Sequence, residues 1–268
     1  MSNEKKIKSQ IEETIKKSIK GYFSTSRSRT YHPLDEIFPK ERKIHSLIQG
    51  LATSMGTQLW EPLATAIAKT NGYQIIDKTK INTKVPKLPK EIIHKISDFK
   101  EKKRKDNSKT HQDFFKELKD FIKEEKINKK KLVIEPKIPK GEGVDVYLKK
   151  NNIEYLIDIK TVQINAGSGP KFSDNLLHWY AYRALQNPNI NLECFIGFPY
   201  NPHIPHDFWL KEGGKVNPLI HSVEALVADE FWDLLSGLEG TTQVIFDVFK
   251  KLGSQNFGNQ FNHIFLAK

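Results

Sequence analysis

The sequence predicts an α/β fold in which a central mixed β-sheet is flanked by helices and carries a basic helical insertion. Three observations lead to this prediction. Apolar residues recur at helical spacing near both ends of the chain, short β-branched runs follow one another between residues 132 and 198, and lysine is in excess at residues 78–131. A chain of 268 residues with 38% hydrophobic and 28% charged residues has enough apolar side chains for a core, which excludes a wholly disordered chain and a membrane protein.

The single cysteine, Cys194, excludes an internal disulfide framework and a zinc site built from several cysteines. No stretch approaches the roughly 18 consecutive apolar residues of a membrane span, and the first residues, MSNEKKIKSQ, lack the apolar core of a signal peptide. We therefore expect a cytoplasmic protein with one domain over residues 1–268. Within it we expect a helical insertion at 78–131 and a helical extension over about 200–268.

Two helical patterns precede the basic segment. The first places an isoleucine at every fourth position, at Ile7, Ile11, Ile15 and Ile19. The second covers about residues 41–70, where apolar residues again form a helical stripe. That stripe consists of Ile44, Leu47, Ile48, Leu51, Met55 and Leu59.

Nearly all of the net positive charge lies in one segment. Residues 78–131 hold 19 Lys/Arg and 9 Asp/Glu, a net charge of +10, whereas the whole chain has +11. Such an excess favours contact with a polyanion, and DNA or RNA is the interpretation that we prefer. A solvated, lysine-rich helical insertion explains the same charge without a nucleic acid.

After residue 131 the pattern changes to strands. We expect strands at 132–134, 143–148, 153–161 and 192–198, a loop at 167–170 and a helix at 174–186. We expect the C-terminal third to be helical. Because strands and helices alternate in this region, they predict a mixed sheet with helices on its faces.

The strands at 143–148 and 153–161 form a predicted hairpin. Asn tolerates a positive φ, so Asn151-Asn152 suits a two-residue turn. In the resulting register the numbers of opposed residues sum to 303, which places Lys149 opposite Glu154. Val144, Val146, Leu148, Tyr155, Ile157 and Ile159 then share one apolar face.

The same register places Asp145 opposite Asp158, with Lys160 on the same face. Two opposed carboxylates repel, and a hard divalent cation such as Mg²⁺ removes that repulsion. The backbone carbonyl of Ile159 offers a further oxygen ligand, and Lys160 is suited to hold water or to stabilise charge on a phosphate. The alternative interpretation is a sheet edge with ordinary surface charges.

Asp145, separated by twelve residues from Asp158-Ile159-Lys160, resembles the motif of the PD-(D/E)xK nuclease superfamily. Within it the chain resembles the type II restriction endonucleases, and residues 32–60 resemble enzymes that recognise GGNCC. The stretch EFWDLLSG at 230–237 resembles an aromatic segment near the C-terminus of such enzymes. Val144 departs from the motif, which usually has proline before the first aspartate.

This resemblance implies a restriction-endonuclease-like core, so that residues 1–268 would form a single nuclease domain. It implies that Asp145 and Asp158 are metal ligands and that Lys160 assists the nucleophilic water. It also implies a further acidic residue on a preceding helix, for which we select Glu61; a first-turn glutamate that is favoured only by the helix dipole is equally compatible. Glu142 competes for the role of Asp145 but lies outside the expected face.

The predicted activity is Mg²⁺-dependent cleavage of a short duplex DNA sequence, giving 5′-phosphate ends. Gln163, Asn165 and Lys171 follow the second strand and carry side chains that suit DNA contacts. A palindromic target favours a homodimer, and a DNA methyltransferase acting on the same site is an expected partner. The alternatives are a structure-selective repair nuclease of the same fold and a non-catalytic DNA-binding protein.

Overall fold

The computed structural model describes residues 2–25, 31–125, 127, 132–161 and 164–266. Contacts between residues divide the chain into two compact units, one formed by Met1–Asn71 with Trp232–Lys268 and the other by Gly72–Phe231. The single nuclease domain, with its insertion at 78–131 and its extension at about 200–268, stays a prediction. Within the described ranges, no helix combines the length and the apolar composition that crossing a membrane requires.

Helices and strands alternate over the described chain. The helices are α1 (Asn3–Ser24), α2 (Pro39–Met55), α3 (Glu61–Thr70), α4 (Thr79–Asn82), α5 (Lys90–Lys105), α6 (His111–Glu124), α7 (Ser168–Gln186), α8 (Phe208–Val216), α9 (Asp229–Ser236), α10 (Thr241–Ser254) and α11 (Asn262–Leu266). The strands are β1 (Gln74–Ile75), β2 (Thr83–Pro86), β3 (Ile134–Lys137), β4 (Val146–Lys150), β5 (Ile153–Ile159), β6 (Asn191–Phe198) and β7 (Ala225–Val227).

In the first unit, α1 packs against α2, α3 and α10. The four-residue repeat of α1 faces inward as predicted, with Ile7, Ile11 and Ile15 fully buried. The second predicted stripe lies in α2, apart from Leu59, which follows that helix and is fully buried. Ile44 and Ile48 are 42% and 48% exposed, whereas Leu47, Leu51 and Met55 are half-buried. The Tyr22 hydroxyl of α1 donates to the Leu47 carbonyl at 2.9 Å, so α1 contacts α2 at this part of the stripe.

The second unit contains a five-stranded sheet in the order β1-β4-β5-β6-β7. The first three of these strands are antiparallel, and β5, β6 and β7 are parallel. Helix α7 connects β5 to β6, since parallel neighbours need a long crossover connection. This mixed sheet with flanking helices confirms the predicted fold class.

One face of the sheet is covered by α7, and α6 of the basic segment packs on α7. Leu156 and Ile196 of the sheet belong to the same buried cluster as Trp179 and Tyr180 of α7. The Phe115 ring lies 4.8 Å from that of Tyr180. The basic segment therefore buries an apolar side in the core of this unit, which explains how so charged a sequence folds.

Several predicted boundaries are wrong. The strand expected at 132–134 begins at Ile134, and it pairs with β2 in a separate two-stranded sheet. The edge of the five-stranded sheet beside β4 is formed by β1, an exposed strand of two residues that was not predicted. The three-residue strand β7 interrupts the C-terminal third that was expected to be helical, and the loop expected at 167–170 forms the start of α7.

Candidate active site

The hairpin is formed as the sequence predicts. Asn151 and Asn152 have φ of 49° and 63°, the left-handed values that a two-residue primed turn requires. All five ladder pairs of β4 with β5 follow the predicted register, from Lys150 opposite Ile153 to Val146 opposite Ile157. This turn fixes which residues of β5 meet the start of β4.

The register changes where the acidic pair begins. The ladder ends at Val146, and the Asp145 N–H donates to the Ile157 carbonyl at 3.0 Å rather than pairing with Asp158. One carboxylate oxygen of Asp145 accepts the Ile159 N–H at 2.8 Å. The Asp145 carboxylate thus lies at the end of β5, close enough to the Asp158 side chain to affect its pKa.

The end of the regular ladder also changes one predicted face. Val144 was expected to lie beside Val146 and Leu148. It belongs instead to the buried cluster that contains Leu156 and the α7 side chains. Strict alternation of faces therefore ends between residues 144 and 146, because it holds only where the ladder is regular.

Asp158 is a buried carboxyl with a strongly shifted pKa. Its exposed fraction is 2%, and burial is the main cause that raises its pKa to about 7. The positive charge of Lys160 opposes this shift, whereas the neighbouring carboxylate of Asp145 adds to it. Strong shifts from burial combined with specific charge partners are typical of functional sites.

Lys160 completes the predicted group. Its Nζ lies 2.7 Å from Oδ2 of Asp158, and its side chain is 36% exposed. The backbone N–H of Lys160 donates to the Gly197 carbonyl at 2.9 Å, and this bond anchors the backbone at residue 160 beside β6. The ammonium group thus reaches both the buried carboxyl and solvent.

These residues fit a divalent cation. Oδ2 of Asp158 is buried and has no partner with hydrogen-bond geometry in the described part of the chain, although Lys160 is close. The Ile159 carbonyl lies beyond the last ladder pair of β4 and β5. Two carboxylates with one carbonyl suit Mg²⁺, which keeps several water ligands. Among the described residues, no three His, Cys, Asp or Glu side chains cluster around one point as a larger metal site would require.

Glu142 has a different set of partners from Asp145. One of its carboxylate oxygens lies 3.0 Å from Nδ1 of His178 and accepts the Tyr182 hydroxyl at 3.0 Å. Its backbone carbonyl accepts the Trp179 indole N–H at 2.6 Å. Glu142 therefore ties the segment before Asp145 to α7, which leaves Asp145 as the better candidate for the metal.

The other predicted site residues lie in different places. Glu61 is the first residue of α3 in the first unit, whereas the hairpin belongs to the second unit. Asn165 is exposed just before α7, and Lys171 is exposed in its first turn. Gln163 lies outside the described residues.

Two groups of hydrogen-bonded polar side chains near the sheet were not foreseen. Asn82 and Asn175 donate to the backbone carbonyls of Val144 and Gly141, in the segment that leads to Asp145. A second group joins Glu154 to Tyr147 and Arg183. Asn82 is 62 positions from Val144, and no local pattern marks such a pair because the fold alone brings it together.

Residues 230–236 of the aromatic segment lie in α9, and Gly237 follows the end of this helix. Phe231 and Trp232 are fully buried. The Asp233 carboxylate accepts the N–H groups of Gly240 and Thr241 at 2.9 and 2.8 Å, which joins the end of α9 to the start of α10. This segment therefore has a structural role in the described chain.

A mixed α/β sheet with an acidic pair and a lysine at the end of its central hairpin is consistent with the restriction-endonuclease-like core that the sequence predicts. Comparison with known families supplies the class directly. The family model described as "Type II restriction endonuclease, HinfI" matches residues 3–253, so the chain belongs to this family of type II restriction endonucleases, which are site-specific deoxyribonucleases.

One curated relative is "Type II restriction enzyme MjaII" of Methanocaldococcus jannaschii. It is 31% identical to the chain over 128 residues, which are 45% of the chain and 35% of that enzyme. The chain thus spans about a third of the length of this relative. No solved structure matches the chain.

Proposed function

We propose that this protein hydrolyses both strands of double-stranded DNA at a short specific sequence, with Mg²⁺ as cofactor, and leaves 5′-phosphate and 3′-hydroxyl ends. The observation that carries the proposal is the buried Asp158 beside Asp145, with the Lys160 ammonium 2.7 Å away, in a chain of the HinfI family. We further propose that residues 1–268 act as a single nuclease domain, which a cytoplasmic location would bring to its DNA.

Each residue of the group has a proposed role. Asp145, Asp158 and the Ile159 carbonyl hold the cation. When bound, Mg²⁺ supplies a Lewis acid that stabilises the negative charge developing on the scissile phosphate. Lys160 orients the attacking water and donates to a phosphate oxygen, because its ammonium reaches solvent from beside the acidic pair. Water attacks phosphorus in line, and the bond to the 3′ oxygen breaks.

Four further residues extend this proposal. Glu61 is the proposed additional acidic residue. Gln163, Asn165 and Lys171 are the proposed DNA contacts, since amide and ammonium groups suit base edges and phosphates. Asn165 and Lys171 are exposed, as DNA contacts must be.

The proposed biological setting follows from a palindromic target. Two copies of the chain related by a two-fold axis would match the two strands of such a site. A methyltransferase acting on the same sequence would protect the host DNA. The proposed target is GGNCC, on the resemblance of residues 32–60, and sequencing of fragment ends tests it.

The central experiment is digestion of a long, sequenced, unmethylated DNA. The wild type is incubated with Mg²⁺ or with EDTA, and Asp158→Asn and Asp98→Asn are incubated with Mg²⁺. Asp98 is an exposed carboxylate of α5 in the same unit, so it controls for the loss of a negative charge. We expect discrete fragments with the wild type and with Asp98→Asn, and none with EDTA or Asp158→Asn. Cleavage that persists in EDTA contradicts the proposal.

The same experiment separates the alternatives. A structure-selective repair nuclease would leave intact duplex uncut and would cleave mismatched, branched or nicked substrates. A non-catalytic DNA-binding protein would bind DNA in a salt-sensitive manner, would ignore Mg²⁺ and would tolerate Asp145→Asn. The family match favours the restriction endonuclease over both.

A further inference from the structure

We propose that Asn82 is a positioning residue that fixes the backbone at Asp145. This inference rests on the proposed function, because it concerns the proposed ligand Asp145. It assigns to the basic segment at 78–131 a role in the site that is independent of its charge.

The Asn82 side chain binds both backbone groups of the residue that precedes Asp145. Its Nδ2 donates to the Val144 carbonyl at 2.9 Å, and its Oδ1 accepts the Val144 N–H at 2.9 Å. Val144 is 1% exposed and lies beyond the last ladder pair of β4. The amide thus pairs this residue much as a neighbouring strand would.

Asn82 is itself held in place. Its N–H donates to the Lys78 carbonyl at 2.9 Å, and its carbonyl accepts the Ile138 N–H at 3.0 Å. The preceding residue, Ile81, is fully buried. A side chain that is anchored in this way restricts the position of its partner, as the supporting residues of a metal site must.

Removing the amide would free the start of β4. The N–H and C=O of Val144 would be left buried without partners, and such groups cost free energy until the segment moves or water enters. Because Asp145 is the next residue, its carboxylate would shift relative to Asp158, even though Ile157 and Ile159 still bind Asp145. The Asp158 side chain, on another strand, would keep its position.

The test compares Asn82→Ala with Gln112→Ala. Gln112 is a matched control, because it also lies in the basic segment and donates from its side-chain amide to a strand carbonyl, that of Leu192, at 3.0 Å. Leu192 lies at the start of β6. The end of β6 that lies near Lys160 is six residues further along the strand, so this contact is remote from the proposed site. Two readouts are measured: Mn²⁺ binding by electron paramagnetic resonance without DNA, and kcat and KM for cleavage.

We expect Asn82→Ala to weaken Mn²⁺ binding and to lower kcat by about 10- to 100-fold, the usual loss when a residue that orients a metal ligand is removed. KM for DNA and all values for Gln112→Ala should stay close to the wild type. A purely structural role would lower the melting temperature in Asn82→Ala without this loss of metal affinity.

Asn82→Gln keeps the amide but moves it by one methylene, so it tests the position of the group if the alanine variant does not fold. It should fold and should also bind Mn²⁺ more weakly than the wild type. Wild-type Mn²⁺ affinity and kcat in either folded variant would overturn the inference while the proposed function stands. A wild type that does not cleave DNA would overturn the proposed function instead.

Discussion

Nζ of Lys160 lies 2.7 Å from Oδ2 of Asp158, a buried oxygen that has no partner with hydrogen-bond geometry in the described ranges of the chain. A carboxyl placed solely for stability would be fully hydrogen-bonded or exposed. The arrangement is consistent with the metal site proposed for these residues.

The raised pKa of Asp158 predicts how stability depends on pH. Its pKa rises from 3.8 to about 7 in the folded chain, so the folded state binds a proton that the unfolded state releases. The free energy of unfolding of the metal-free protein should therefore fall as pH rises from about 4 to about 7. Asp158→Asn lacks this titrating group. Its free energy of unfolding should therefore fall by about 2 kcal/mol less than that of the wild type between pH 5 and pH 7.

Urea unfolding in EDTA at pH 5 and pH 7 measures this difference. Asp98→Asn, which removes an exposed carboxylate, should retain the wild-type pH dependence. Equal pH dependence in the wild type and Asp158→Asn would contradict the assignment of the shifted pKa to Asp158.

Lys160→Ala should separate chemistry from binding. The ammonium is proposed to act on water and phosphate, so we expect its loss to lower kcat by at least about 100-fold. Affinity for DNA in Ca²⁺, measured by fluorescence anisotropy, should change by less than about threefold, because a single phosphate contact contributes little to the whole interface. A variant that cleaves normally would exclude Lys160 from catalysis.

Glu61→Gln tests the additional acidic residue. If Glu61 takes part in metal binding, cleavage should fall by at least about 10-fold. If the helix dipole alone explains its position, only about 0.3–1 kcal/mol of stability should be lost. Glu41→Gln is the matched control, since Glu41 is likewise in the first turn of a helix of the first unit. Cleavage rates and urea unfolding of both variants distinguish these results.

Glu224 should be critical for stability. It is 4% exposed, and its carboxylate oxygens lie 2.7 Å from Nδ1 of His111 and 3.3 Å from Nζ of the buried Lys103. Burial alone would raise its pKa, but His111, followed by Lys103, outweighs this effect and holds the pKa below 4.5. Glu224→Gln leaves Lys103 buried without a charge partner, and should cost about 3–5 kcal/mol.

The pH dependence of Glu224 has the opposite sign to that of Asp158. Its contribution is fully present above the unfolded value of 4.5 and is lost as pH falls below it. The wild type should therefore lose more stability than Glu224→Gln between pH 5 and pH 3. Glu101→Gln, an exposed change on α5, should have little effect on the melting temperature at either pH.

The turn at Asn151-Asn152 should tolerate glycine but not a β-branched residue. Both residues have positive φ, so Asn152→Gly should change the free energy of unfolding by only a few tenths of a kcal/mol. Asn152→Val should cost about 1–2 kcal/mol, because the left-handed conformation brings Cβ too close to the next carbonyl. Unfolding of both variants measures the effect, and equal stability would contradict this account of the register.

Much of the fold could be predicted because its signals are local. The four-residue repeat of Ile7, Ile11 and Ile15 marks α1, and the Asn151-Asn152 turn fixes the register of the hairpin. Short or exposed elements carry no such pattern, so β1 and β7 were missed, as was β2 within the insertion that was expected to be helical. The apolar stripe of α2 indicated a helix correctly, but burial of Ile44 and Ile48 depends on which side of the helix its neighbours cover.

The mixed α/β class and the grouping of Asp145, Asp158 and Lys160 could be predicted from local rules, because a two-residue turn and the alternation of strand faces act between near neighbours in the chain. Asp145 leaves the ladder to accept the Ile159 N–H, a local departure from the regular hairpin that the turn does not predict. Asn82 pairs with the residue before Asp145 although the two are 62 positions apart, so only the folded chain brings them together. Burial of Asp158, which raises its pKa, likewise depends on what packs over the sheet, and no local pattern encodes that.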